Sequence, residues 1–365
     1  MHKSMSWQSL PIVASVALAL AAAGCGAEAV SGGQYMGPVP NTGSALIDDG
    51  STGAVSAVSQ HSNLFDESAD HSRPTWKVAG VDYAVGVPPG LALKDPVVDG
   101  LPAGAVLDVA AKLVRVNASG VVLEGYDWSR GGFGIAIGAV SGVRVTRCQF
   151  GHLAAGVVVQ AGVGSSDLYF GYNDVDGSVG SDASVGAPAP ALLELRGGSV
   201  VEYNWIRSSP GTVVSVDGGG SLLVRNNLLE DVAKASGASG SFLAFGGGAF
   251  TAPRIAFNTI IQRPGPATPT PRQELLQMHL TAPGTLLDAE VAYNTILSLG
   301  SQGAPSSAMV FHFGADAAYP WSVTGWAHDN FVDPSGALTI GPPALSGFVY
   351  LRNIDAKTGA PLLVP

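Results

Sequence analysis

Six stretches of this chain are variants of one pattern: LYFGYNDV at 168–175, VVEYNWI at 200–206, LVRNNLL at 223–229, RIAFNTI at 254–260, EVAYNTI at 290–296 and WAHDNFV at 326–332. Each reads as a strand, a polar corner at Asn, and a second short strand. LEGYDW at 123–128 and VTRCQF at 145–150 share the alternation but carry Tyr126 and Cys148 at the corner, and FVYLRNI at 348–354 closes the series. The corners fall at 126, 148, 173, 204, 227, 258, 294, 330 and 353, so their spacing is never below 22 residues and reaches 36. Length beyond the minimum goes most cheaply into surface loops, because each doubling of a flexible loop costs only about 0.6 kcal/mol.

Between corners the order repeats: a short strand, a variable loop, an alternating strand such as VVVQ, LLELR, VVSVD or MVFHF, a turn that usually contains Gly, and the strand leading to the next corner. Three strands per turn of the chain, wound in one direction and stacked about 4.8 Å apart, make a parallel β-helix. The expected fold is therefore all-β, a solenoid of about nine three-strand rungs with an internal Asn ladder. Stacked amides hydrogen-bond along the axis and to turn backbone that water cannot reach, so Asn173, Asn204, Asn227, Asn258, Asn294 and Asn330 read as scaffold rather than chemistry. Cys148, at a ladder position, reads as a buried apolar filler. PRQELLQMHL at 271–280 also fits a helix start, with Pro near the first turn, but its slot between corners favours a strand over 274–280.

Composition agrees. A chain of 365 residues that is 46% hydrophobic and 13% charged has enough apolar side chain to build a core. Its 49 Gly and 24 Pro, without a triplet period, exclude collagen and point to dense turns. The net charge of −10 argues against a nucleic-acid binder, which needs clustered basic residues. Two Cys, at 25 and 148, exclude a disulfide framework. Leu10 to Ala23 is apolar apart from Ser15 and too short to cross a bilayer, so residues 1–24 read as an export signal. AAAGC at 21–25 is similar to a bacterial lipobox, with Leu20 displaced from the usual place, so Cys25 is the expected lipidation site of an envelope lipoprotein; plain secretion is the alternative. Residues 25–75 read as a flexible tether, 76–100 as an N-terminal cap, 101–356 as the β-helix and 357–365 as a C-terminal tail.

On these repeats the chain resembles the right-handed parallel β-helix proteins of the pectate-lyase-like superfamily, over about residues 100 to 355. The resemblance implies the right hand, and a polysaccharide as the partner of a lyase or glycoside hydrolase. The family's catalytic motifs are not carried. The W-x-D-H pattern is missing, GWAHDN at 325–330 having its letters in another order, and the polygalacturonase set is represented only by NTI at 258 and 294 and GHL at 151–153. No catalytic residue is transferred on that basis. A non-catalytic adhesin, tailspike-like or envelope scaffold protein is the alternative.

Ligands of a packed solenoid must use outward positions on its strands. Aligning the alternating strands on the turn that follows each puts Arg196, Asp217, Gly246, His279 and His312 in one outward column, with Gln160, Glu194, Ser215 and Gln277 beside it. The candidate catalytic residues are His279 as general acid or base, Arg196 against oxyanion charge, and Glu194 or Asp217 as carboxylate. Adjacent strands place those two carboxylates about 8 Å apart, within the inverting range. Gln160, Ser215, Gln277, His312 and Trp321 are the candidate substrate contacts, and Gly246 offers room for a sugar ring. Tyr319 and Trp326 are further aromatics able to stack on sugars. No cofactor is expected; Asp174 and Asp176 with Glu202 are the set weighed for calcium. His61, His71 and His328 lack zinc-type spacing. A membrane is met only through the lipid anchor, and nothing in the sequence fixes the oligomeric state.

Overall fold

The structure is a computed structural model that describes residues 59–67, 72–151, 156–178, 191–232, 240–263, 273–277, 284–299, 309–312, 321–333 and 347–362. The expected leader over 1–24, Cys25 and His279 lie outside these residues. The described strands form three sheets, each built from successive passes of the chain. The first sheet orders Leu113–Val116, Gly134–Ile137, Val159–Ala161, Leu193–Arg196, Val214–Asp217, Gly240–Phe245, Gln273–Gln277 and Met309–His312 side by side in sequence order. The second and third sheets repeat that order with the strands before and after each corner. Among the described residues the named strands pair in parallel except at the N-terminal edge, where Ala105–Asp108 lies antiparallel to Leu113–Val116. This is a right-handed parallel β-helix.

Alternation decides what each strand buries. Leu193, Leu195, Val214 and Val216 point inward and are at most 2% exposed, while Glu194, Arg196, Ser215 and Asp217 point outward. Toward the N-terminal end the interior fills with a run of rings: Tyr126 on Trp128 at 4.7 Å, Trp128 on Phe150 at 6.3 Å, and Phe150 on Phe170 at 5.9 Å.

The Asn ladder is continuous. Each Oδ1 accepts from the backbone N and the Nδ2 of the ladder Asn one turn before, from Asn173 through Asn204, Asn227, Asn258, Asn294 and Asn330 to Asn353, at 2.9–3.2 Å. Cys148 extends it, its N–H donating to Asn173 Oδ1 at 2.9 Å, and burial pushes the thiol up to about 11. The residue before each corner is left-handed: Arg147, Tyr172, Tyr203, Asn226, Phe257, Tyr293, Asp329 and Arg352 all have φ between 50 and 59°. A non-Gly residue there costs roughly 1 kcal/mol, which the ladder bonds on the next residue offset. Its side chain is thrown outward, so Tyr172 stacks on Tyr203 at 4.9 Å and Phe257 on Tyr293 at 5.0 Å.

The third sheet departs from alternation. Val175, Ile206, Leu229, Ile260, Ile296 and Val332 fill the solenoid, yet Leu228, Ile261, Leu297 and Phe331 on its outer side are also buried. Their cover is the N-terminal segment, which runs lengthwise along this flank. Ser72 N donates to Ala356 O at the last turn of the solenoid. Trp76 Nε1 donates to Thr295 Oγ1 at 3.2 Å, and its ring meets Tyr293 and Phe331 edge-on. Gly80, at φ 74°, lies so close to Leu228 that a Cβ would stand 2.5 Å from its Cδ2. Gly86 N reaches Tyr203 O at 2.8 Å, Val87 N reaches Asp174 Oδ1 at 3.2 Å, and Lys94 N bonds Gly125 O at the first corner.

Residues 59–67, with the helix Leu64–Glu67, lie over this segment: Ser59 Oγ donates to Val81 O, and His61 N to Gly80 O. A buried carboxylate clasps them to the solenoid. Glu230 accepts from Trp205 Nε1 at 2.6 Å and Arg263 Nη2 at 2.8 Å, and meets His61 Nε2 at 2.9 Å. Burial alone raises its carboxyl, but the contacts to His61, Trp205 and Arg263 outweigh it and hold the group down at about 2.

Two expectations change accordingly. Residues 76–87 of the expected cap form a strap along the third sheet, Lys94 bonds the first turn at Gly125 and Asp127, and residues 59–67 and 72–75 of the expected tether are docked with the strap. The reason is the outward apolar column, which must be removed from water. At the other end the tail turns back, with Asp355 N bonding Ala360 O and Leu362 N bonding Asn353 O, and so covers the last ladder residue. The expected strand at 274–280 is present as Gln273–Gln277, and 278–280 lie outside the described residues.

Candidate functional site

The outward face of the first sheet carries a groove of about 460 Å³, whose polar lining is Gln160, Glu194, Arg196, Ser215 and Asp217. All five were candidates from sequence, and the register explains why they meet. Gln160 pairs with Glu194 and Glu194 with Ser215, while Arg196 pairs with Asp217 two residues along. Residues two apart on a strand share a face, so both columns open on the same side. Ala136, Ala161 and the exposed Val163 supply the apolar part of the lining.

The side chains hold one another. Gln160 Nε2 donates to Glu194 Oε2 at 2.9 Å. Arg196 Nη1 stands 3.6 Å from Asp217 Oδ2, and its Nε donates to Ala161 O at 3.4 Å. Asp217 Oδ1 accepts from Gly247 N at 3.1 Å. That bond draws the carboxylate over Gly246, where a Cβ would lie 1.4 Å from Asp217 Oδ1. The room for a sugar ring expected at Gly246 is therefore filled by Asp217, and glycine is there because the carboxylate is.

The remaining candidates divide. Backbone pairing carries the Glu194–Ser215 column on through Ala244 and Gln277 to His312. His312 is thus level with Gln277, not with His279 as alignment on the following turn had it, because backbone hydrogen bonds set the level of a strand and turn lengths do not. Trp321 opens the strand Trp321–His328 in the second sheet, opposite Gly284, and takes no part in the first-sheet face. The carboxylates weighed for calcium are kept apart. Asp174 and Asp176 sit on the third sheet and Glu202 on the second; Asp176 meets Arg207 at 3.4 Å and Glu202 meets Arg225 at 2.7 Å. Asp174 accepts from Val87 N, and its carboxyl is raised to about 6 by burial. Among the described residues no three His, Cys, Asp or Glu side chains are grouped to hold a metal ion.

A titratable cluster on the second sheet escaped the sequence reading. His328 lies 2.8 Å from Asp329 and 3.4 Å from Glu290, and Arg352 Nε donates to Asp329 Oδ1 at 2.8 Å. The hydrogen bonds to Asp329 and then Glu290 hold the imidazole up at about 9, a cation at neutral pH and no general base. Its signal was HDN at a corner, where the left-handed Asp329 aims its carboxylate at the preceding residue's ring.

Chemically, the groove offers an amide, a hydroxyl, two carboxylates and one guanidinium spread over three neighbouring strands. This suits multiple polar contacts to an extended ligand. Asp217 is engaged by both a cation and a backbone N–H, which suits holding more than proton transfer. Compared with known proteins, the chain matches no family model, no curated protein and no solved structure.

Proposed function

We propose that this chain is an exported β-helix protein, anchored through a lipid on Cys25 or secreted, that holds a polysaccharide along the first-sheet groove. The observation that carries this reading is the pair of stacked outward columns, Gln160–Glu194–Ser215 and Arg196–Asp217, that line one groove. A polymer lying across successive strands meets an amide, a carboxylate and a hydroxyl in turn at Gln160, Glu194 and Ser215. The apolar start over Leu10 to Ala23 and the AAAGC sequence support export. Holding ranks above lyase or hydrolase action, because Asp217 is tied to Arg196 and Gly247 N while Glu194 shares a hydrogen bond with Gln160.

The test is titration of the full chain against a polysaccharide panel, with reducing ends and unsaturated products assayed in parallel. Binding that Ser215→Arg abolishes, without product, is the expected result. Product formation lost in Asp217→Ala would establish an enzyme instead. Absence of binding to every polymer would leave the adhesin or scaffold alternative.

A further inference from the structure

We infer that the groove selects a polysaccharide bearing free amines, a polymer of hexosaminium units, over acetylated and uronate polymers; this rests on reading the groove as a glycan site. The charges of the lining are the first observation. Glu194 and Asp217 stand against Arg196 alone, and Arg196 is turned to Asp217 at 3.6 Å and to the Ala161 carbonyl at 3.4 Å. The one cation among the described lining residues is thus paired with a carboxylate of the same lining, and Glu194 has no such partner.

Glu194 is the second observation. It is half-buried, its partner is the neutral amide of Gln160 at 2.9 Å, and among the described residues no cation stands within ion-pair distance of it. A carboxylate whose hydrogen-bond partner is a neutral amide has its charge balanced by no side chain, and partial shelter from water strengthens its pull on an ammonium group. Around it, Ser215 pairs with it on one side and Gln160 on the other, giving groups able to accept further ammonium hydrogens or bind sugar hydroxyls. The third observation is the net charge of −10, which attracts a polycation and repels a polyanion at long range.

Three oligosaccharides of equal length test this on the full chain by calorimetry at physiological ionic strength: glucosamine, N-acetylglucosamine and galacturonate oligomers. The glucosamine oligomer is expected to bind about tenfold or more tightly than its acetylated counterpart, a difference of about 1.4 kcal/mol. Glu194→Gln is expected to bring the two level. Glu124→Gln, which removes a carboxylate paired with Arg147 on the second sheet, is expected to leave the ratio unchanged. Circular dichroism and the unfolding midpoint confirm that each variant is folded. Equal or tighter binding of the acetylated or galacturonate oligomer, abolished by Ser215→Arg, would overturn the charge selection and leave the groove as a glycan site. Glucosamine binding indifferent to both Glu194→Gln and Ser215→Arg would be general attraction to an acidic surface and would overturn it too. If no oligomer and no panel polymer binds, the glycan reading itself falls.

Discussion

The first and third sheets are built from the same repeat, yet one presents a polar face to water and the other an apolar face to a strap. In the first sheet, Leu193-Glu-Leu-Arg196 and Val214-Ser-Val-Asp217 alternate strictly, so one side fills the core and the other is free to meet a ligand. In the third, Leu228-Leu-Glu230 and Thr259-Ile-Ile-Gln262 are buried on both sides, because Leu228 and Ile261 meet Val78, Val81, Val85 and Trp76 in one outer cluster. A face covered along its length cannot bind a polymer, and a face with no apolar column cannot hold a strap. The division of labour between flanks follows from every second residue of short strands.

Substitutions can break this contrast. The largest effect is expected at the ladder, on the corner between the second and third sheets. Asn227→Ala removes the acceptor of Asn204 N and Nδ2 and the donors to Val201 O and Asn258 Oδ1, all buried. Leaving those groups without partners is expected to cost about 4 kcal/mol in urea unfolding. Trp76→Ala should cost about 3 kcal/mol, and unevenly: amide exchange should rise over Ser72–Val87 and the third sheet while Leu193–Asp217 stays protected. Uniform loss of protection would show that strap and groove face are one cooperative unit.

Glu230→Gln sharpens the contrast by charge. The carboxyl has an ordinary value of 4.5 and is held at about 2 when folded, so its contribution is complete above the ordinary value and is lost as pH falls through about 2. The glutamine variant is expected to lose about 2 kcal/mol near neutral pH, as for hydrogen bonds to a charged group, and its stability should fall less steeply with acid than the parent's. An unchanged slope between pH 4.5 and 2 would count against the clasp. The smallest effect belongs to the open face. Ser215→Ala is expected to shift stability by no more than about 0.5 kcal/mol, so that any loss of glycan binding in it reads as contact rather than unfolding.

The solenoid was legible because its signal is periodic. Asn173, Asn204, Asn227, Asn258, Asn294 and Asn330 recur at corners, and corners need a side chain that satisfies backbone along the axis. The groove residues were legible for the same reason, since alternation alone assigns Glu194, Arg196, Ser215 and Asp217 to the outside. The strap was not, although Leu228-Leu229 and Ile260-Ile261, apolar at consecutive positions, carried a sign that this sheet is covered on both sides. What covers it lies more than a hundred residues earlier, in a segment with no repeat to mark it. The partners of His328 were not legible, because Glu290 and Asp329 come together only through the pairing of Glu290 with Trp326 and the left-handed turn at Asp329.

By itself, then, the amino-acid order determined the winding and the inward or outward sense of the side chains in the repeat, since both are local: a period of two along each strand and one amide per corner. Tertiary structure alone decided which flank is open, which strand stands level with which, and that the Asp217 carboxylate occupies the space above Gly246. Those outcomes depend on backbone bonds between passes of the chain and on a distant segment seeking cover for its own apolar side chains, and neither leaves a period in the sequence.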